Sequence, residues 1–104
     1  MRIIAMFNLK ADADAGAYEA WARSRDIPGV RSLVSVKDFD VLKATGVMFK
    51  EGAEPPFRYI EIFDISTMDE FMRDCAGDIV SGLAKEMAAF VDDATFVTTE
   101  KLLP

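Results

Sequence analysis

Runs and alternations of apolar residues along the chain predict four β-strands. Residues 2–9 are apolar at nearly every position, which is typical of a central strand buried on both faces. Residues 31–45 alternate between apolar and polar side chains and predict a second strand. Residues 57–65 have the densest β-branched and aromatic content and predict a third, and residues 94–100 predict a fourth.

A first helix is predicted between the first two strands. Asp12 and Asp14 offer N-caps for a helix over about residues 13–26, in which apolar side chains recur at helical spacing. Pro28 is expected to stop this helix, because proline keeps the preceding residue out of helical geometry, and Gly29 supplies a turn.

A second, longer helix is predicted to begin at a capping box. Thr67 can accept a hydrogen bond from the backbone of Glu70, whose carboxylate can reach back to the cap, and Gly77 is a candidate kink further along. The order is therefore β-α-β-β-α-β, with a hairpin between strands two and three. This order predicts an α+β, ferredoxin-like domain over residues 1–104, with a four-stranded antiparallel sheet and two helices on one face.

The other face of this sheet needs a cover. Strands one and three are apolar on both sides, and soluble monomers rarely expose apolar patches above roughly a few hundred Å². Packing against the same face of a second copy would bury it, so we expect a homodimer through the sheet faces.

Charge and composition exclude several functions. With 12 basic and 18 acidic side chains the net charge is −6, which argues against nucleic acid and anionic membranes as partners. The apolar stretch at residues 1–8 is too short for a signal peptide or a spanning helix, so we expect no membrane insertion and a cytoplasmic location.

The chain contains no histidine and one cysteine, Cys75. The common zinc and haem ligand sets cannot be assembled from such a chain, and its six glycines form no phosphate-binding loop, so we expect neither metal nor cofactor. Acid–base chemistry would fall to Asp, Glu, Tyr, Lys or the thiol.

Glu61 and Tyr59 are the candidate catalytic residues. Glu61 interrupts the most apolar strand, where a carboxylate must be paired, hydrogen-bonded or shifted to a raised pKa. Tyr59 lies two residues away on the same face and could hold its proton or contact a phenolic substrate. The alternative is a dimer-interface network in which Glu61 meets an Arg or Tyr of the second copy.

Three further residues are candidate ligand contacts. Tyr18 and Trp21 could line a pocket for a flat heteroaromatic ligand, although core packing explains the same spacing. Asn8 ends the first strand, where its amide could bind a ligand or simply stabilise a turn.

The chain resembles the dimeric α/β-barrel superfamily. The resemblance lies in the strand–helix start, in the passage Ile27-Pro28-Gly29-Val30-Arg31-Ser32, and in Tyr59-Ile60-Glu61-Ile62-Phe63-Asp64 followed by a capped helix. The length, Trp21 and the segment Arg31-Ser32-Leu33-Val34 are most similar to the RedY-like proteins of prodiginine (tripyrrole red pigment) pathways. The resemblance implies two facing sheets in a homodimer, with a small-molecule cavity between sheet and helices in each subunit.

The resemblance also implies a function. Relatives include cofactor-free oxygenases, cyclases and isomerases, several of which rely on histidine, which this chain lacks. We expect an accessory protein of a prodiginine or other aromatic secondary-metabolite pathway, acting as a cofactor-independent enzyme on a hydrophobic heteroaromatic intermediate. The alternatives are an escort protein that binds the intermediate without changing it, or an assembly partner of pathway enzymes.

Overall fold

In the computed structural model, which describes residues 1–103, the four predicted strands form one antiparallel sheet. The strands are β1 (Arg2–Phe7), β2 (Val36–Lys43), β3 (Tyr59–Ile65) and β4 (Ala94–Thr98). Their spatial order is β2-β3-β1-β4. The two strands with apolar residues on both faces are thus central, and the α+β, ferredoxin-like prediction is confirmed.

The first helical unit is longer than predicted. It comprises α1 (Ala15–Trp21), a π-helical segment (Ala22–Asp26) and α2 (Ile27–Arg31). Asp14 caps α1 as expected, since its Oδ2 accepts a 2.8 Å hydrogen bond from the backbone nitrogen of Ala17. The predicted stop at Pro28 is wrong: Pro28 lies in the first turn of α2, where a missing backbone N–H costs little.

The second helical unit is divided where the sequence offered a kink. It comprises α3 (Met68–Cys75) and α4 (Asp78–Met87), with Gly77 between them. The capping box is confirmed, because the backbone nitrogen of Glu70 donates a 3.2 Å hydrogen bond to Thr67 Oγ1. None of the helices formed by residues 1–103 is long and apolar enough to cross a membrane.

Strand β2 begins later than predicted and does not alternate strictly. The extension of α2 and the turns after it occupy residues 31–35, so β2 starts at Val36. An irregularity between Val36 and Asp38 shifts the register against β3, and Val36 and Phe39 are both buried. The predicted alternation placed these two residues on opposite faces, which a bulge of this kind overrides.

The core lies between the sheet and the helices. The residues of β1 and β3 that face the helices are all buried: Ile3, Ala5, Phe7, Tyr59, Glu61, Phe63 and Ile65. Side chains alternate along a strand, so the opposite, helix-free face carries Ile4, Met6, Leu42, Ile60, Ile62 and Val97. Glu61 is the one charged residue among the helix-facing positions of these two central strands.

Candidate functional site

Glu61 forms a buried pair of carboxyl groups with Asp26. Glu61 lies in the middle of β3 and is 3% exposed, and Asp26 ends the π-helical segment and is 5% exposed. Their carboxyl groups lie within hydrogen-bonding distance of each other. Burial, and then the charge of Asp26, raises the pKa of Glu61 to about 8; burial also raises the pKa of Asp26 to about 6.

The charges of this pair act on Tyr18, which packs against Tyr59 of the same strand as Glu61. The Tyr18 ring packs at 4.7 Å from the Tyr59 ring and at 5.8 Å from the Phe7 ring, measured between centroids. Burial, followed by the charges of Glu61 and Asp26, raises the pKa of Tyr18. Within residues 1–103, neither the Tyr18 hydroxyl nor Asp26 Oδ2 has a hydrogen-bond partner. Two polar atoms of this region are therefore buried without hydrogen bonds. This lowers stability unless a ligand or a shared proton supplies the missing bonds.

Tyr59 shares a face with Glu61, but its hydroxyl is bound elsewhere. It donates a 2.7 Å hydrogen bond to Glu19 Oε2, and Lys43 Nζ lies 2.8 Å from the same oxygen. Hydrogen bonds from Lys43 and Tyr59 lower the pKa of Glu19. Burial, and then the bond to Glu19, raises the pKa of Tyr59 to about 12.

A small cavity opens beside these residues. Its volume is about 120 Å³, and it lies between the first helical unit and strands β2 and β3. Tyr18 and Tyr59 supply its aromatic wall, and three charged side chains lie at its margin: Glu19, Arg23 and Lys43. Glu61 and Asp26 do not line the cavity, whereas Tyr18 both lines it and is affected by their charge.

The other two candidate ligand contacts make structural bonds. Trp21 does not line the cavity; its Nε1 donates a 2.9 Å hydrogen bond to Glu86 Oε1. Asn8 donates to the carbonyl of Pro56 at 3.1 Å and accepts from the backbone nitrogen of Arg58 at 2.8 Å. The structure therefore brings Tyr18, Tyr59 and Glu61 together, and gives the side chains of Trp21 and Asn8 partners within the chain.

Two features of this site were not anticipated from the sequence. Glu61 faces the helices, so the alternative of a network across the dimer interface does not describe it. Asp26 was interpreted only as the end of a helix. The sequence did contain an indication that Asp26 is buried. Asp26 stands four residues after Ala22 and eight after Tyr18, at the spacing of one buried helical stripe.

The part of the chain that the structure describes contains no group of three or more acidic or thiol side chains placed to hold a metal ion.

The fold and the cavity between sheet and helices define a ferredoxin-like α+β protein of a class whose solved members include dimers. The sequence matches the model of the family of the REDY-like protein HapK over residues 1–102, and the chain belongs to this family. No curated protein is similar enough in sequence to match the chain.

Three solved structures illustrate the similarity. HapK from Hahella chejuensis is 26% identical, with a TM-score of 0.75 and coverage of 100% of this chain and 95% of that one. An antibiotic biosynthesis monooxygenase is 16% identical, with a TM-score of 0.74 and 97% coverage of both chains. A dimeric protein of ferredoxin-like fold and unknown function from Bacteroides fragilis is 13% identical, with a TM-score of 0.71 and coverage of 96% and 94%. The last two similarities show the fold alone.

Proposed function

We propose that this chain is a cytoplasmic accessory protein of a prodiginine or related aromatic secondary-metabolite pathway, and that it acts without a cofactor on a hydrophobic heteroaromatic intermediate. Membership of the REDY-like family supports the pathway. The observation that carries the chemistry is Glu61, a buried carboxyl with a raised pKa two residues along β3 from Tyr59, which lines the cavity. A carboxyl that titrates near neutral pH can both donate and accept a proton, as a general acid or base must.

The cavity limits which part of a ligand can enter. An apolar cavity of about 150 Å³ in another protein holds one benzene molecule, so a cavity of 120 Å³ admits roughly one small ring. Such a ring would pack against the wall formed by Tyr18 and Tyr59, and the rest of a larger intermediate would extend past Glu19, Arg23 and Lys43.

A homodimer through the helix-free face is part of this proposal. Ile4 pairs with Ile62 and Met6 with Ile60 in the centre of that face, and Leu42 and Val97 at its sides are 46% and 37% exposed. The dimeric state of a relative with the same fold supports this arrangement. Two copies related by a two-fold axis would bury both apolar faces at once.

Turnover of candidate intermediates by the purified protein tests the catalytic proposal. Heteroaromatic intermediates would be incubated with the protein and the products followed by mass spectrometry. Glu61→Gln is expected to lower turnover by roughly 10²–10⁴, the usual contribution of a general acid or base. Glu51→Gln, on an exposed loop, is the matched control and should retain turnover. Unchanged turnover in Glu61→Gln would remove Glu61 from the mechanism.

Binding without chemistry is the second candidate function. Glu61 and Asp26 do not line the cavity, and the Tyr59 hydroxyl is bonded to Glu19, which favours an escort protein that only holds the ligand. Trp21, whose ring lies 6.0 Å from that of Tyr18, can report binding through its fluorescence. Saturable quenching with recovery of the unchanged intermediate would select this candidate over the enzyme.

A further inference from the structure

Asp26 is a buried ionisable residue that the proposed function does not use. We infer that Asp26 and Glu61 form a two-carboxyl site that holds one proton between them, and that the buried, unpartnered hydroxyl of Tyr18 donates a hydrogen bond to a ligand in the adjoining cavity. The ligand class is a single aromatic ring with a carbonyl or imine acceptor. The inference rests on the proposed small-molecule function and names Tyr18 as the residue that positions the ligand.

The surroundings of the pair favour one shared proton. Asp26 and Glu61 are both nearly inaccessible to water, and two adjacent carboxylates cannot both ionise cheaply in such a place. No Lys or Arg among residues 1–103 forms an ion pair with either of them. The charge of Glu86 from α4 also acts on Asp26 and is negative as well. A proton is therefore the one positive charge available to the pair within the described chain.

A purely structural role explains Asp26 poorly. With both carboxyl groups ionised its Oδ2 atom has no hydrogen-bond partner among the described residues, and an unsatisfied buried oxygen lowers stability. An apolar side chain of similar size would fill the same space without this cost. The backbone is also irregular there, since the nitrogen of Ile27 donates to the carbonyl of Ala22 in a π-helical turn that ends at Asp26.

Tyr18 connects the pair to the cavity. It lines the cavity, its buried hydroxyl lacks a partner within residues 1–103, and the charges of Glu61 and Asp26 act on it. The other ionisable groups that act on Tyr18 are Tyr59 from β3 and Glu19 from α1. A phenol is protonated at neutral pH, and the Tyr18 hydroxyl has no partner within residues 1–103, so it is free to donate to a ligand acceptor, whereas the Tyr59 hydroxyl already donates to Glu19.

Titration of the side-chain carboxyl carbons by ¹³C NMR tests the pair in the protein without ligand. Asp26 and Glu61 are expected to titrate in two coupled steps, with one proton retained at pH 7. Asp26→Asn should lower the Glu61 midpoint by about one pH unit or more, because the coupled charge is removed. Asp40→Asn, at an exposed position of β2, should leave that midpoint unchanged. A Glu61 midpoint unaffected by Asp26→Asn, or two carboxylates fully ionised at pH 5, overturns the inference.

Two small probes test the donor role of Tyr18. Pyrrole-2-carbaldehyde offers a ring with a carbonyl acceptor, and 2-methylpyrrole offers a similar shape without one; Trp21 fluorescence follows binding of both. Tyr18→Phe should weaken binding of the aldehyde about tenfold and leave 2-methylpyrrole unaffected, since one hydrogen bond is lost. If Tyr18→Phe weakens binding of both probes equally, or if the unmodified protein does not bind the aldehyde, the donor role of Tyr18 is overturned. Loss of the proposed turnover alone changes neither the titration nor this comparison.

Discussion

The indole nitrogen of Trp21 donates a 2.9 Å hydrogen bond to Glu86 Oε1 and so joins the first helical unit to α4. The same carboxylate accepts two bonds from Arg25, at 3.0 and 2.7 Å. The bonds from Arg25, and then the one from Trp21, lower the pKa of Glu86 to about 2. The polar edge of Trp21 is thus occupied by a contact between helices, and its ring, which packs 6.0 Å from that of Tyr18, can act as a fluorescence reporter.

The pH dependence of stability should reveal how much the cluster of Trp21, Arg25 and Glu86 contributes. A carboxylate whose pKa is lowered by folding stabilises the protein above its unfolded pKa near 4.5, and this contribution is lost as the pH falls towards 2. Glu86→Gln should therefore lower the melting temperature at pH 7 and flatten its decline between pH 4.5 and 2. Thermal melts followed by circular dichroism measure both effects.

Glu54→Gln is the matched control for this cluster. Glu54 also pairs with an arginine, Arg58 at 3.3 Å, but its side chain is 86% exposed and the pair should contribute little. Its melting temperature should follow that of the unmodified protein at each pH. If the melting temperature of Glu86→Gln falls as steeply between pH 4.5 and 2 as that of the unmodified protein, the cluster does not stabilise the fold.

The pair of Asp26 and Glu61 should have the opposite pH dependence. Folding raises the pKa of Glu61 from about 4.5 to about 8, so the folded state binds a proton that the unfolded state has lost between these values. Stability should then fall as the pH rises from 4.5 to 8. Glu61→Gln should reduce this fall and increase the free energy of unfolding at pH 9 by about 1–3 kcal/mol, the cost of an uncompensated buried group.

Urea unfolding at pH 5 and pH 9 measures this difference. A Glu61→Gln variant that is less stable than the unmodified protein at pH 9 would show that the ionised carboxylate is well satisfied. Glu51→Gln, which alters an exposed carboxylate of the loop before β3, provides the comparison.

The sheet and the helix starts could be predicted because they depend on nearby residues. β1 and β3 are apolar on both faces and are central, and Asp14 and Thr67 cap helices through bonds to residues three positions away. Local patterns of this kind are complete within a few residues.

The errors occurred where contacts distant in sequence decide the structure. The helix continues past Pro28, and the buried Val30 of α2 packs into the core with Leu83 of α4, a contact that the local proline signal cannot indicate. The pairing of Asp26 with Glu61 likewise joins a helical segment to a strand far along the chain. A periodic pattern could place Asp26 on a buried stripe but could not identify its partner.

A charge in the centre of the helix-free face should prevent the proposed dimer. Ile62 lies between Ile4 of β1 and Asp40 of β2, so Ile62→Asp would place a carboxylate in the apolar centre and beside another carboxylate. We expect the variant to sediment as a folded monomer in analytical ultracentrifugation, since an unpaired buried charge costs several kcal/mol. Val34→Asp, at a position that is exposed and outside the sheet, should remain dimeric. A dimeric Ile62→Asp protein would place the interface elsewhere.

Two helical glycines should respond differently to alanine. A Cβ atom on Gly29 would lie 2.9 Å from Cδ1 of the buried Leu83, whereas a Cβ atom on Gly82 would meet nothing within 4 Å. Alanine favours a helix over glycine by about 1 kcal/mol, so Gly82→Ala should stabilise the protein by up to that amount. At Gly29 the same gain is opposed by crowding in the core, which typically costs about 1–3 kcal/mol. The free energy of unfolding measured in urea should therefore be higher for Gly82→Ala than for Gly29→Ala. This difference should disappear in a Leu83→Ala background, where the crowded methyl group is absent.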